Sequence, residues 1–398
     1  MSMEPIVAVE IGTSRARVFV GEAREDGALM ITAVGDCASS GMRKGELFHF
    51  ESASQCLERA LRQAEDAANL TVNEVHVALS GSQIEGLPNR GEIPVDGEIT
   101  AEHVEHVCRV AREVTLPADR EILHSIVGQF SVDGLCGVKP EGMVGQKLAA
   151  DVLIVHGQHA RMFNLVRVVK GLKLEVADLL FSGLCAAMSA LSGEQKLQGV
   201  LLIDLGGGTT DYMVYAQAKI ADAGAIGVGG DHVTNDIAKA FRLSTMEAEA
   251  LKIQHGDAMV SAAGRTRRLP LPAAAGETPR TAKLSDLQSV IHLRMEETFG
   301  LIRARLQRQN LLHLLGGGVV LTGGGAYLKN VAQLAEKVFG LPCEIGGPRN
   351  VSGLTANLSG PEYATGVGAV LCAYKNACLR QEQSRSVWRR LGHWFGLG

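Results

Sequence analysis

Long apolar runs and a basic N-terminal segment are both missing from this 398-residue sequence. No stretch of 18 apolar residues occurs, so no membrane-spanning helix is expected. The opening residues, MSMEPIVAVEIG, lack the basic and apolar regions of a secretory signal peptide, so none is expected. The eight cysteines are scattered without a CxxC pair, which favours buried, reduced thiols in a cytosolic protein. A net charge of -4 gives no support to nucleic-acid binding as the main activity.

The composition that remains is that of a globular protein with more than one domain. Hydrophobic residues make up 46% and charged residues 21% of the chain, which is too apolar for a disordered protein. A chain of this length exceeds one ordinary hydrophobic core. Many of the 47 glycines occur in short runs, which indicates tight turns beside a ligand.

An internal repeat is the main organising feature of the sequence. The segments VAVEIGTSRARV at 7–18 and LLIDLGGGTTDY at 201–212 align without a gap, so that Glu10 matches Asp204 and Gly12 matches Gly206. Each segment is an apolar strand that carries one acid near its end and is followed by a turn of small residues. The repeat predicts an α/β protein with two similar domains that face one cleft.

Both turns have the chemistry of a phosphate site. Glycine lets backbone N–H groups point at a phosphate without obstruction by Cβ, and the hydroxyl groups of the turns add donors. The carboxylates of Glu10 and Asp204 would hold Mg²⁺, directly or through its water. A third glycine run, 323–325, ends an apolar strand and would let the backbone approach the base and sugar of a nucleotide. The turns therefore predict a nucleotide site lined by Gly12, Thr13, Ser14, Arg15, Gly206, Gly207, Gly208, Thr209, Thr210, Gly323, Gly324 and Gly325.

The last thirteen residues, 386–398, have the pattern of a membrane-surface helix. Both tryptophans of the chain lie here, and no acid follows Glu382. Helical spacing would place the large apolar residues on one face, with basic residues beside it. The polar segment 381–385 is expected to be a linker. The residues expected to contact lipid are Val387, Trp388, Arg389, Arg390, Leu391, Trp394 and Phe395. A C-terminal helix docked on the protein's own core is the alternative.

Three of these motifs resemble those of the actin, Hsp70 and sugar-kinase superfamily. The segments AVEIGTSRARV, IDLGGGTTD and VLTGGGAYLKNV are similar to its two phosphate motifs and its adenosine motif. Within the superfamily, the chain resembles the family of the bacterial cell division protein FtsA, to about residue 375. Further resemblance lies in GDCASSGMRKGELFHFESASQCLERAL, LLFSGLCAAMSAL and EAEALKIQHG.

The resemblance implies an actin-like two-lobed fold of duplicated ribonuclease-H-like domains. The first-lobe core would be 1–82, resumed at 163–195 and 369–380. An SHS2-like subdomain that serves self-assembly would be inserted at 83–162. The second-lobe core would be 196–228, resumed at 308–368, and 229–307 would be its small subdomain, which binds the tubulin-like FtsZ in this family.

The resemblance also implies roles for particular residues. Gly229, Gly230 and Asp231 would lie near the ribose and phosphates. Glu249 and Lys252, three apart on one helix, would reach the ribose and base; a surface ion pair is the alternative. Arg294 on the long helix of the small subdomain would contact FtsZ, with simple solvation of an exposed arginine as the alternative.

One departure from the superfamily concerns hydrolysis. Its hydrolysing members carry a Gln or Glu early in the helix after the last strand of the first lobe. The corresponding segment here, FSGLCAAMSAL, has no acid or amide, and Ser182 is its only polar side chain before Ser189. We therefore expect ATP binding with Mg²⁺ and at most weak ATPase activity, so that nucleotide gates assembly.

The function implied by the resemblance is that of an adaptor in bacterial cell division. Such a protein binds ATP, polymerises on the cytoplasmic face of the inner membrane at the division site, anchors FtsZ there and recruits other division proteins. A pilus-assembly protein of the PilM type has the same subdomain layout and is the alternative, although the apolar tail argues against it. A sugar kinase or phosphatase would need a catalytic base and a substrate pocket, and the sequence shows neither clearly.

Overall fold

The structure is a computed structural model. It describes residues 4–24, 29–217, 219–272, 280–349, 352–353 and 358–394, and it describes side chains no further than residue 379. The fold consists of two mixed sheets with helices packed against them.

The first sheet belongs to the N-terminal lobe and has the strand order β11-β6-β1-β2-β3-β19. Strands β1 and β2 form an antiparallel hairpin, whereas β6 is parallel to both β1 and β11. Nearly every residue of β1 is buried, because helices cover this sheet. The strands are β1 Ile6–Ile11, β2 Arg15–Ala23, β3 Leu29–Ala38, β6 Glu74–Leu79, β11 Glu175–Phe181 and β19 Ser352–Gly353.

The second sheet repeats the same five-strand pattern at one of its ends. Its order there is β18-β17-β12-β13-β14, with β12 and β13 antiparallel and with β17 parallel to both β12 and β18. This equivalence confirms the two-lobed α/β fold expected from the internal repeat. The strands are β12 Val200–Leu205, β13 Thr210–Ala216, β14 Lys219–Ile226, β17 Val319–Thr322 and β18 Cys343–Ile345.

The inserted segment after Gly81 extends the second sheet. Its long strands continue the sheet order as β14-β7-β10-β8-β9, and β7 meets β14 only through the pair Glu85 and Gly224. The insertion has a hydrophobic core of its own, formed by these strands and one helix, α2. Its elements are β7 Glu85–Glu98, α2 Ala101–Arg112, β8 Arg120–Val132, β9 Leu135–Val138 and β10 Val144–Gln158.

Helices pack against both sheets. The first-lobe helices are α1 Phe50–Ala68, α3 His159–Gly171, α4 Ser182–Ala190 and α5 Gly193–Gln198. The later helices are α6 Gly230–Phe241, α7 Thr245–His255, α8 Leu284–Arg308, α9 Val331–Phe339 and α10 Ala364–Trp394. Two short hairpins complete the described elements, β4 Met42–Arg43 with β5 Glu46–Leu47 and β15 Arg268–Leu271 with β16 Arg280–Lys283.

Two local features differ from the sequence expectations. The backbone of 381–385, expected to be a linker, is helical and continues α10. The eight cysteines form no disulfide, but only Cys56, Cys108, Cys185 and Cys372 are buried, whereas Cys136 is exposed on the hairpin of the insertion.

Candidate functional site: a cavity between the two lobes

A cavity of about 710 Å³ lies between the two sheets, at the turns that follow β1 and β12. This volume is within the ~300–1,000 Å³ typical of small-molecule sites. Every residue expected from the sequence to bind nucleotide or metal lines this one cavity: Glu10, Gly12, Thr13, Ser14, Arg15, Asp204, Gly206, Gly207, Gly208, Thr209, Thr210, Gly229, Gly230, Asp231, Glu249, Lys252, Gly323, Gly324 and Gly325.

The two turns have equivalent hydrogen bonding and contact each other. Gly12 N donates to Arg15 O over 2.9 Å, and Gly206 N donates to Thr209 O over 3.0 Å. A Cβ atom built on Gly207 would overlap Ser14 Oγ, and one on Gly208 would overlap Thr13 Oγ1. The glycines therefore let the turns of the two lobes come together as one concave, donor-rich surface.

The third glycine run forms another wall of the cavity. Gly323 follows β17 with a φ of 80°, and a Cβ atom there would overlap a carboxylate oxygen of Asp204. A side chain at this position would be both strained and blocked. Gly324, by contrast, has no described atom within 4 Å of a built Cβ, so its backbone borders open space.

The start of α6 closes the cavity beside the second turn. Gly230 N donates to Gly206 O over 3.0 Å, and Asp231 N donates to Gly207 O over 2.8 Å. Lys252 on α7 donates to Gly230 O over 3.2 Å and lies 2.7 Å from a carboxylate oxygen of Glu249. The predicted pair is thus an ion pair that also faces the cavity.

Three carboxyl groups lie at the floor of the cavity, of which Asp211 is buried and Glu10 and Asp204 are half-buried. Burial raises the pKa of Glu10 to about 7; Arg17 opposes this shift, and Asp204 adds to it. Burial also raises the pKa of Asp204, although Thr365 Oγ1 donates to its Oδ2 over 2.6 Å. The pKa of Asp211 lies well above its ordinary value, because of burial and then the negative charge of Asp204. Clustered acids with raised pKa values would be stabilised by a cation.

The donor set fits a magnesium ion that keeps most of its water. Glu10 Oε2 is buried, makes no hydrogen bond to any described residue and lies 3.9 Å from Arg17 Nη1. Within the described residues, no group of three His, Cys, Asp or Glu side chains has the geometry of a metal cage. Mg²⁺ commonly binds through one or two carboxylates, water and substrate phosphates. Glu10 and Asp204 match that mode.

Several residues of the cavity were not expected from the sequence. Arg17 and Asp211 are the cross-strand partners of Glu10 and Asp204 in their hairpins. Hairpin register could have identified this pair, because the turns fix which residues face each other. Ser80, which donates to Thr209 Oγ1 over 2.9 Å, and Thr365 come from distant parts of the chain. No local pattern could have placed them here.

Arg294 differs from the lone, exposed arginine that the sequence suggested. Its side chain is only 25% exposed, and its Nε lies 2.6 Å from Asp236 Oδ2 on α6. It also pairs with Glu297 on its own helix. Because the first residues of α6 donate hydrogen bonds to the second glycine turn, this ion pair connects the long helix α8 to the wall of the cavity. The alternative that Arg294 is simply a solvated, exposed arginine is therefore wrong.

The residues expected to bind lipid lie where the structure describes no side chains. Residues 387–391 and Trp394 fall within the helical backbone of α10, and Phe395 lies outside the described residues. In the described part of the chain, no helix is both long and apolar enough to cross a membrane.

Comparisons with known proteins agree with this architecture. A family model described as "Cell division protein FtsA" matches residues 201–368, and one described as "SHS2 domain inserted in FTSA" matches residues 81–156. Among solved structures, the chain is similar to the PilM-PilN type IV pilus biogenesis complex. The TM-score is 0.67 at 17% identity, over 93% of this chain and 98% of that one. It is also similar to MreB5 of Spiroplasma citri bound to ADP, with a TM-score of 0.57 at 15% identity over 95% and 98%.

Similarity in sequence is stronger and extends along nearly the whole chain. Cell division protein FtsA of Pseudomonas aeruginosa is 35% identical over 368 residues, which cover 92% of this chain and 88% of that protein. FtsA of Escherichia coli K12 is 35% identical over 98% of this chain and 95% of that protein, and FtsA of Borreliella burgdorferi is 31% identical over 99% of both. This chain therefore belongs to the cell division protein FtsA family and has its actin-like fold with the inserted SHS2 domain.

Proposed function

We propose that the cavity binds ATP with Mg²⁺ between the two lobes. The observation that carries this proposal is the contact between the two equivalent turns, which gathers backbone donors and hydroxyl groups around one space. The phosphates would lie between the turns. The adenosine would lie toward Gly324, Glu249 and Lys252, and Mg²⁺ would be held beside Glu10 and Asp204. Bound Mg²⁺ would neutralise phosphate charge. MreB5, a structural neighbour, is described as bound to ADP and to AMPPNP.

We further propose that the bound nucleotide controls assembly and is turned over slowly. Ser182 at the start of α4 lines the cavity, and α4 carries no acid or amide. The carboxyl group beside α4 is that of Asp211, whose Oδ1 accepts a hydrogen bond from Ser80 Oγ.

Slow turnover can be measured directly with the purified full-length protein. We expect no more than about one ATP hydrolysed per minute, against the ~10 per second of a typical enzyme. An ATP-saturated steady-state assay of released phosphate tests this, with a preparation of Asp204→Asn as the control for contaminating ATPases. Turnover of many ATP per minute that disappears in the Asp204→Asn protein would contradict the proposal.

The cellular role proposed is that of a membrane-bound adaptor for FtsZ. With ATP bound, the protein would form filaments on the cytoplasmic face of the inner membrane at the division site, and it would recruit other division proteins there. The tail at 386–398 would contact lipid. The inserted subdomain at 83–162, whose strand β7 pairs with β14 of the second lobe, would serve self-assembly. Identity of 35% to FtsA proteins, against 17% to the PilM structure, favours this role over pilus assembly.

The small subdomain at 229–307 is the proposed surface for FtsZ, and its exposed apolar residues allow a specific test. Leu293 on α8 is 63% exposed, next to the paired Arg294. Leu293→Glu should weaken FtsZ binding by about tenfold or more without loss of stability, because an unpaired charge in the core of an interface is costly and Leu293 packs little within its own chain. Arg294→Gln should lower both FtsZ affinity and protein stability, since it also breaks the ion pair with Asp236.

Leu197→Glu is the matched control, because Leu197 is 67% exposed and lies on α5, outside the small subdomain. Binding isotherms with purified FtsZ and thermal unfolding curves provide the two readouts. If Leu293→Glu, Leu197→Glu and the unmodified chain bind FtsZ with equal affinity, the surface around Leu293 is not part of the FtsZ interface.

A further inference from the structure

A hairpin with a two-residue turn, formed by β4 and β5, borders the cavity through Gly45. Its tip is Lys44 and Gly45, which have φ angles of 53° and 73°. Positive φ at both central residues is typical of a tight hairpin turn that follows the twist of its strands. Gly45 lines the cavity, and its N–H donates to Thr13 Oγ1 over 3.1 Å. The hairpin tip is thus bonded to the first phosphate turn.

The same tip also contacts the second phosphate turn. A Cβ atom built on Gly208 would lie 2.8 Å from the backbone N and Cα of Lys44. One built on Gly45 would lie 2.8 Å from the methyl group of Thr209. Lys44 therefore stands where the turns of the two lobes meet, which is the region proposed to hold the phosphates.

A series of contacts connects the end of the cavity proposed for the adenosine to the hairpin. Lys252 contacts Gly230, and Gly230 contacts the second turn at Gly206. The turn then passes Gly208, beside Lys44, and reaches Thr209, beside Gly45. A nucleotide with its base near Lys252 would accordingly extend its last phosphate toward the hairpin.

The positive charge of Lys44 also supports a role in phosphate binding. The four lysine and arginine residues that line the cavity each have a carboxylate within 4 Å; their pairs are Arg15 with Asp36, Arg17 with Glu10, Lys252 with Glu249, and Lys329 with Asp257. Lys44 makes no ion pair with any residue whose side chain the structure describes. Its charge reaches the second lobe, because burial and then Lys44 lower the pKa of His232 at the start of α6.

We propose that Lys44 binds the terminal phosphate of ATP and thereby makes the site discriminate ATP from ADP. The inference rests on the proposed binding of ATP in this cavity. An ammonium group is a suitable point charge for a phosphate. The hairpin that carries it is held in place, since Glu46 pairs with Arg161 on α3 and Phe48 N donates to Gly41 O over 2.8 Å. Because the tip touches both lobes, loss of the last phosphate would loosen a contact between them.

The test compares ATP and ADP affinity in full-length variants by calorimetric titration with Mg²⁺ present. Lys44→Asn removes the charge and suits the left-handed backbone, in which Asn is tolerated. Lys44→Gly is a second neutral variant without strain at this φ, should the first fold poorly. Lys44→Arg keeps the charge. Arg43→Gln removes the charge of the adjacent exposed residue and is the matched control.

We expect Lys44→Asn and Lys44→Gly to weaken ATP binding about tenfold, a typical effect of a charge-assisted contact, and to change ADP affinity by less than about threefold. Arg43→Gln should match the unmodified chain, and Lys44→Arg should retain most of the ATP affinity. An unchanged ratio of ATP to ADP affinity in both neutral variants would overturn the inference. Failure of the unmodified chain to bind either nucleotide would refute the proposed function instead.

Discussion

Deletion of residues 386–398 should abolish binding of the protein to lipid vesicles while it leaves ATP affinity unchanged. Five apolar side chains, two of them tryptophans, fall on one face of a helix over this segment. Their burial in a membrane surface would contribute roughly 6–10 kcal/mol before the cost of ordering the helix. A single copy should bind reversibly, and a filament should bind strongly through many copies.

Co-sedimentation with anionic vesicles measures this effect, and we expect the bound fraction to fall at least tenfold. The matched control is a double variant that exchanges two adjacent residues, Trp388→Arg together with Arg389→Trp. This variant keeps composition and charge but moves one indole by about 100° around the helix. It should bind more weakly than the unmodified chain. Full vesicle binding by the truncated protein would show that another surface contacts the lipid.

Gly229→Ala should reduce ATP affinity about a hundredfold or more. A Cβ atom at this position would lie 2.6 Å from the carbonyl oxygens of both Gly206 and Gly207. Backbone atoms cannot move aside as a flexible side chain can, so the second turn and the start of α6 would have to separate. That change would displace hydrogen-bond donors from the proposed phosphate site, and it would lower ATP affinity far more than the loss of one contact would.

Gly300→Ala is the matched control, because a Cβ atom there meets nothing within 4 Å and alanine favours the helix α8. Gly324→Val offers a second test, since Gly324 lines the cavity and a Cβ atom built there meets no described atom within 4 Å. Titration with a fluorescent ATP analogue and circular dichroism separate binding from stability. Undiminished ATP affinity in both Gly229→Ala and Gly324→Val would place the nucleotide elsewhere.

The fold could be predicted largely from local patterns. The repeat around Glu10 and Asp204 identified two equivalent strands, and the structure extends that equivalence to five strands in each lobe. Buried strands flanked by glycine turns are distinct in the sequence because burial demands continuous apolar residues. The attachment of the insertion to the edge of the second sheet could not be predicted in this way, since it rests on long-range contacts such as the strand pair of Glu85 with Gly224 and the ion pair of Asp151 with Lys219.

The cavity could be predicted only in part, for a similar reason. Glycines and acids within the turns carry a local signal, and all of those named from the sequence face one cavity. Identification of Arg17 required the strand register, and identification of Thr365 required the hydrogen bond from the start of α10 to Asp204 of the second lobe. The interpretation of Arg294 as a solvated, exposed arginine was wrong, because its partner Asp236 lies 58 residues away in the sequence on another helix.

Nucleotide bound in the cleft is proposed to drive assembly of the protein on a lipid surface. Electron microscopy of the full-length protein on a lipid monolayer, with and without ATP and Mg²⁺, is the decisive measurement. We expect ordered filaments on the monolayer with ATP and none without nucleotide. Filaments of equal abundance without nucleotide, or no filaments in any condition, would refute this proposal.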